Sequence, residues 1–405
     1  MCEKPHTDVL ELFNQRDLVK VCAPMVRYSK LQFRNLVKIY GCDLTFTPMI
    51  LADSFCKSPK ARLNEFTTNT LDTPLITQFA ANTVHDFVGA SYLVAPYCDG
   101  VDLNCGCPQR WAKDLCLGCE MLNTPQKIFE LVRECRNRVL KPFTVSIKTR
   151  ILPNIAESIE LCQNLEKCGV SFLTIHARTP MNNVGPISED GLKMISDSVV
   201  VPVIGNGGLG SLKECQGLQE KTGVKGVMVA NAVLTNPELF SGSTVTSLGC
   251  VQQWLDICYN STLTIDDYIS DSQKTISERP RNLTFQCFHH HLVFMLEKLL
   301  TKKQRRVFNN MKSFTLVLRF LEQNFRLKPR KFPADYFQMS IPFNLDFQGR
   351  SVLYEELKPK ENEDHIVDVY GAYWEGDGKY FKGKFDLDVQ EESDCDWSGM
   401  FFEND

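Results

Sequence analysis

Three observations predict the fold class of this chain. Short β-rich runs recur at intervals of about 25 to 40 residues, helix-like stretches lie between them, and after Phe240 the strand pattern stops. Eight strand–helix units argue for α/β architecture in the form of a closed (β/α)8 TIM barrel. An open doubly wound sheet is the alternative, but no Gly-x-Gly-x-x-Gly follows the first run. The predicted organisation is a barrel over residues 1–245, a small all-α domain over 246–331 and an acidic, partly disordered tail over 332–405.

The runs are Val19–Val21, Leu44–Thr47, Leu75–Gln78, Val101–Leu103, Phe143–Lys148, Phe172–His176, Pro202–Ile204 and Gly226–Val229. Among the intervening stretches, Ala156–Lys167 places apolar residues at Ile159, Leu161, Cys162 and Leu165, and Pro125–Val139 opens with Thr124-Pro125 as N-cap and first turn. Beyond the barrel, Leu283–Leu300 and Val307–Phe325 carry apolar residues at helical spacing, the second through Val307, Met311, Phe314, Leu318, Leu321 and Phe325. In the tail, Ala372–Phe381 reads as one hairpin around a Gly-rich turn.

The net charge of −4 hides a division. Arg279–Lys331 holds about thirteen basic against two acidic residues, and Phe332–Asp405 about six basic against eighteen acidic, which leaves a near-neutral body. Arg305, Lys312, Arg319 and Arg326 recur every seven residues and, on one continuous helix, stay opposite the apolar stripe. Lys302, Lys303 and Arg306 extend the patch. Charge of one sign predicts contact with a polyanion, gripping phosphates without reading sequence. The acidic tail reads as a partly disordered appendage, with competition for this patch as the sharper alternative.

Composition excludes several classes. No stretch approaches the ~20 apolar residues of a membrane span, and the polar start Met1–His6 has no signal core, so an intracellular protein is expected, cytoplasmic or nuclear and monomeric. The 17 cysteines are scattered through apolar runs and read as reduced thiols. Cys116 and Cys119 form a Cys-x-x-Cys without a second pair at zinc spacing. His289-His290-His291 fall on a helix, where consecutive residues point about 100° apart and cannot converge on one ion. No metal site is expected. Asn260-Ser261-Thr262 and Asn282-Leu283-Thr284 match a glycosylation pattern that has no consequence without secretion.

The most informative segment is Asp102-Leu103-Asn104-Cys105-Gly106-Cys107-Pro108, where a strand ends in polar residues and a thiol is fixed between Gly106 and Pro108. It resembles the signature of the tRNA-dihydrouridine synthases, flavin enzymes that reduce a uracil ring in transfer RNA, and is most similar to the eukaryotic branch acting on neighbouring D-loop uridines, 20a and 20b. Other segments resemble the same family in order: Ala23-Pro24-Met25-Val26, Gln78-Phe79-Ala80, Ser146–Arg150, Thr174–Thr179, Ile204–Gly208 and Gly226–Asn231. The resemblance covers roughly Leu18 to Phe240, and more weakly to about Arg330.

The resemblance implies flavin mononucleotide (FMN) across the barrel mouth, reduced by NADPH or NADH, with transfer RNA as substrate. It assigns Cys107 as proton donor, a role that suits a thiol whose ordinary pKa of about 8.5 keeps it protonated at neutral pH. Strand alternation and the Gly-Cys-Pro frame select Cys107 over Cys105. Asn104 is implied to meet the uracil edge, and Arg178 the substrate or RNA backbone. Pro24, Met25, Gln78, Lys148, His176, Asn206, Gly207, Gly208, Ala230 and Asn231 are implied to hold the flavin. Lys148 suits the N1 and O2 edge, where a reduced flavin becomes anionic. The basic residues Lys302, Arg305, Lys312, Arg319 and Arg326 are expected to hold the RNA.

The chain departs from the family pattern twice. Asn231 stands where the family carries an arginine, which predicts weaker cofactor affinity. In Gly118-Cys119-Glu120-Met121-Leu122 the family carries small residues after the glycine, which predicts a glutamate near the catalytic turn. Two rival readings follow: a flavin barrel acting on a free pyrimidine, and an RNA-binding protein that has lost flavin catalysis.

Overall fold

The computed structural model describes residues 7–139, 143–182, 184–270, 280, 282–345 and 347. All eight runs form strands: β1 (Val19–Cys22), β2 (Leu44–Phe46), then, after a two-residue β3 (Ile50–Leu51), β4 (Leu75–Ala80), β5 (Gly100–Cys105), β6 (Thr144–Arg150), β7 (Phe172–His176), β8 (Val203–Asn206) and β9 (Gly226–Val229). Every pairing among them is parallel, and β2 pairs with β4, which closes the barrel and leaves β3 as a short addition beside β4. Closure removes the edges that an open sheet would expose, and it settles the choice left open by periodicity.

Because all strands run the same way, their C-terminal ends collect at one mouth. The register sets Gln78 beside Asp102 and Asp102 beside Ser146, then Asn104 beside Lys148 and Lys148 beside Thr174, then Arg150 beside His176 and His176 beside Asn206. Strand alternation turns residues two apart to the same face, so Asp102 and Asn104 share a face that Cys105 does not. Cys105 is fully buried, and burial pushes its thiol well up.

Helices cover the barrel. Pro125–Arg138 starts on Pro125, as expected, although the Thr124 hydroxyl makes no capping bond. Ile155–Lys167 is capped by the Asn154 side chain. One continuous apolar core runs from the strands through Trp254 and Phe288 to Phe347, without a break near residue 245. The segment Leu248–Asn260 packs on Leu31–Ile39, and Trp254 sits edge-on to Phe33.

The expected helix Val307–Phe325 is corrected. It is two helices, Lys302–Asn309 and Phe314–Phe325, and Ser313 between them has extended backbone and accepts from the Leu316 N–H as an N-cap. Arg305 therefore lies on the first, Lys312 in the turn, Arg319 on the second, and Arg326 in a left-handed C-cap at φ +58°. Their seven-residue spacing does not define one helical face. Val307, expected in the apolar stripe, is 53% exposed, while Val317 and Leu321 are fully buried.

The start of the expected tail folds back. Phe332, Phe337 and Phe347 are buried, with Phe347 packed edge-on to Phe55, Phe66 and Tyr97. Arg330 pairs with Asp256 at 2.6 Å, Phe337 stacks on Tyr268, and the Thr70 N–H donates to the Ile341 carbonyl. The boundary expected at residue 332 thus falls inside packed structure. The hairpin expected at Ala372–Phe381 lies outside the described residues.

Candidate active site

The turn after β5 is gripped from three directions. The Asn104 Oδ1 accepts from the Gly106 N–H at 3.1 Å and the Cys107 N–H at 3.0 Å. The Arg150 Nε, on buried β6, donates to the Gly106 carbonyl at 2.8 Å. The Cys119 N–H donates to the Cys107 carbonyl at 3.0 Å. Gly118 sits at φ +62°, and a Cβ there would fall 2.5 Å from the Cys107 carbonyl oxygen and 2.9 Å from its Cβ, so only glycine fits. Cys107 is half-buried and packs against a small apolar cluster of Ala80, Ala112 and Leu117 that is separate from the main core and is also flanked by Met49, Leu51, Trp111 and Leu115.

Beneath the turn lies a polar layer. Gln78 Nε2 donates to Asp102 Oδ2 at 2.8 Å, and the Asn104 amide donates to Gln78 Oε1 at 3.0 Å. The Ser146 hydroxyl donates to Asp102 Oδ1 at 2.7 Å. Burial pushes the Asp102 carboxyl up to about 6, opposed by these two hydrogen bonds and by the Lys148 charge. Lys148 stands two residues from both Ser146 and Arg150 on β6, on the strand face that meets Asp102 and the Cys107 turn rather than the outer helices.

On the other side of the mouth, His176 ends β7 and Asn206 ends β8, with Asn206 Nδ2 donating to the Met228 carbonyl at 2.9 Å. Burial, then Lys148, Arg150 and Arg178, bring His176 down to about 2, so it is neutral. Arg178 Nη1 lies 3.3 Å from His176 Nε2. A guanidinium only donates, so Nε2 accepts and the ring hydrogen is on Nδ1. Gly207 and Gly208 have φ of +119° and +67°, and a Cβ on Gly207 would lie 2.9 Å from the His176 ring. Arg178 donates twice to the Gly185 carbonyl, and its Nη2 is 3.4 Å from where a Gly208 Cβ would stand. Ala230 and Asn231 follow β9, and Pro24 and Met25 follow β1, where the Met25 N–H donates to the Ser29 hydroxyl.

Thus Pro24, Met25, Asn104, Cys107, His176, Arg178, Asn206, Gly207, Gly208, Ala230 and Asn231 fall at strand ends or in the following loops at one rim, and Gln78 and Lys148 lie two residues inside the ends of β4 and β6. Asn104, expected at the uracil edge, has its acceptor engaged by the turn and keeps one amide hydrogen. Arg178 lies against the glycine pair. Glu120 lies in the turn after Cys119 and accepts from Asn123. The three histidines diverge: His289 reaches the Phe308 carbonyl, His290 the Tyr28 hydroxyl and His291 the Tyr28 carbonyl. Among the described residues no cluster of three or more His, Cys, Asp or Glu could hold a metal, and no helix is long and apolar enough to cross a membrane.

Sequence reasoning leaves Asp102, Arg150 and Gly118 without roles. Asp102 and Arg150 stand two residues from Asn104 and Lys148 on the same strands, a spacing that points to the same face. For Gly118 only the glycine itself is a signal.

A thiol held at a barrel mouth that also carries a lysine and, across it, a glycine cradle marks a barrel enzyme whose chemistry sits at its strand ends. The family model described as dihydrouridine synthase (Dus) matches residues 21–328, and the chain belongs to that family. It is 44% identical over 326 residues to a mouse (Mus musculus) protein named tRNA-dihydrouridine(20a/20b) synthase [NAD(P)+]-like, covering 80% of this chain and 94% of that one. To the tRNA-dihydrouridine(20a/20b) synthases [NAD(P)+] of Schizosaccharomyces pombe and Saccharomyces cerevisiae it is 35% and 32% identical, covering 80% and 83% of this chain and 92% and 88% of theirs.

Proposed function

We propose that this chain reduces uridine to 5,6-dihydrouridine in the D-loop of transfer RNA, at positions 20a and 20b, with FMN as cofactor and NADPH or NADH as reductant. The observation that carries this reading is the Cys107 turn, held by Asn104, Arg150 and Gly118 at the rim that also bears Lys148 and the glycine pair. A flavin phosphate suits Gly207 and Gly208, because left-handed glycines turn backbone N–H groups together and a Cβ would fill the space. Asn231 brings no charge there, and the Arg178 guanidinium beside Gly208 supplies one. Gln78 keeps one donor and one acceptor for the flavin ring after its two hydrogen bonds to Asp102 and Asn104.

A reduced flavin held at this rim by Gln78, Lys148 and the glycine pair would supply hydride to uracil C6, the β-carbon of the enone formed with the C4 carbonyl. Cys107 gives its thiol proton to C5, and the resulting thiolate recovers a proton from solvent. Lys148 holds positive charge in the mouth against the anionic charge that reduction creates. Cys107 packs against the small apolar cluster of Ala80, Ala112 and Leu117, which shields part of the side chain from solvent. The target base must reach the thiol unstacked, so the RNA presents it flipped out. The basic residues Lys302, Arg305, Lys312, Arg319 and Arg326 hold phosphates from two helices and the turn between them. A monomer in the cytoplasm or nucleus completes the proposal.

Anaerobic reduction of the purified protein with NADPH, followed by addition of unmodified tRNA, tests it. Rapid RNA-dependent return of flavin absorbance is expected, and Cys107→Ala should retain reduction by NADPH while losing uridine reduction. Reoxidation only by free uracil points to a small-molecule reductase. A colourless protein that still binds tRNA points to an RNA-binding role alone.

A further inference from the structure

Asp102 is a fully buried charged group with no part in the chemistry above. Its partners form an unbroken chain to the catalytic turn: Asp102 Oδ2 accepts from Gln78, Gln78 Oε1 accepts from Asn104, and Asn104 Oδ1 accepts from the Gly106 and Cys107 N–H groups. The direction of this chain is fixed at both ends. The two backbone N–H groups can only donate, so Asn104 must turn its carbonyl to them and its NH2 to Gln78. Gln78 must then turn its own NH2 away, and something buried must accept it. Asp102 supplies that acceptor, and a buried amide donor left unpaired is costly.

We propose that Asp102 is a positioning residue for Cys107, acting through the two amides of Gln78 and Asn104. What the relay needs from Asp102 is an acceptor oxygen. The carboxylate also holds Ser146, and Asn in its place can keep both contacts: its Oδ1 accepts from Gln78 while its Nδ2 donates to the Ser146 hydroxyl, which accepts as readily as it donates. Ala offers nothing, so the Gln78 amide loses its anchor and the Asn104 amide its fixed orientation. The relay's catalytic consequence rests on the reading of Cys107 as proton donor; the relay itself does not.

Hydrogen–deuterium exchange of the full-length protein, followed by mass spectrometry of peptides spanning the Cys107 turn, reads the relay directly. In Asp102→Ala the Gly106 and Cys107 amides should exchange about tenfold faster, the size that one hydrogen bond supports. Peptides from β6 and β7 should exchange as in the wild type. Asp102→Asn should restore protection of the turn. Gln78→Met, which cuts the chain one step nearer Cys107 at similar volume, should match Asp102→Ala and serves if the alanine variant does not fold. Unchanged protection in Asp102→Ala and Gln78→Met would overturn the proposal. So would equal loss in the alanine and asparagine variants, which would make charge the cause, or a loss spread evenly over the barrel. With tRNA as substrate, kcat of the two Asp102 variants should follow the same order, Asn above Ala, while KM stays constant. Absence of dihydrouridine formation in the wild type would count against the proposed function and leave the exchange result standing.

Discussion

Gly118 shows how much of this site depends on one missing carbon. Its φ is +62°, and a Cβ added there would stand 2.5 Å from the Cys107 carbonyl oxygen, so alanine must move the turn that carries the thiol. A non-glycine residue held at such an angle costs about 1–3 kcal/mol. Gly118→Ala is therefore expected to lower kcat for uridine reduction by about tenfold or more, with a melting temperature a few degrees below the wild type. Steady-state kinetics beside a thermal melt checks it. The turn at the end of β5 is legible in the sequence because Gly106 and Pro108 frame Cys107. The groups that hold it are not, because Asp102, Arg150 and Gly118 act across strands and loops whose register exists only in the fold.

Helix and strand patterns differ in how well they can be read. The strands are legible because each is a short β-rich run between helical stretches, and all eight occur where expected. The basic helix is misleading because a seven-residue spacing of charges masks Asn309-Asn310 and Ser313, poor helix formers and good caps that end one helix and begin another. The fold-back at Phe332–Phe347 is hidden for a different reason: its aromatic residues have no period, and only the surface they meet gives them a place. The split leaves Lys302, Lys303 and Arg306 exposed on a helix that buries Phe308 alone. Replacing these three with glutamine should weaken tRNA binding similarly across tRNA species and flatten its salt dependence. Filter binding at several salt concentrations measures both; an unchanged slope would remove this helix from the RNA interface.

At the scale of the whole molecule, buried histidines set the response to acid. Burial brings His176 down to about 2, His291 to about 3 and His290 to about 4, against about 6.5 in the unfolded chain. Below that value the unfolded state binds more protons, so stability falls as pH drops from about 6.5. Asp102 acts in the opposite sense: raised to about 6 from an ordinary 3.9 or so, it favours the folded state in acid and loses that contribution as pH rises from about 4 to 6. Three histidines outweigh one carboxyl, and the melting temperature should be lower at pH 5 than at pH 7.5. Scanning calorimetry at the two values decides it.

Two of those histidines also join the loop after β1 to the helical region. Tyr28, three residues beyond Met25, gives its hydroxyl to His290 and its carbonyl to His291, and the Cys287 thiol donates to the Arg27 carbonyl. A ligand that steadies Phe285–Leu296 steadies the loop that bears Pro24 and Met25. Thermodynamic reciprocity then applies: whatever factor RNA adds to flavin affinity through this joint, flavin adds to RNA affinity. On the proposed sites the two affinities form a single cycle, and the comparison of tRNA titrations of apoprotein and flavin-loaded protein reads the coupling carried by this joint.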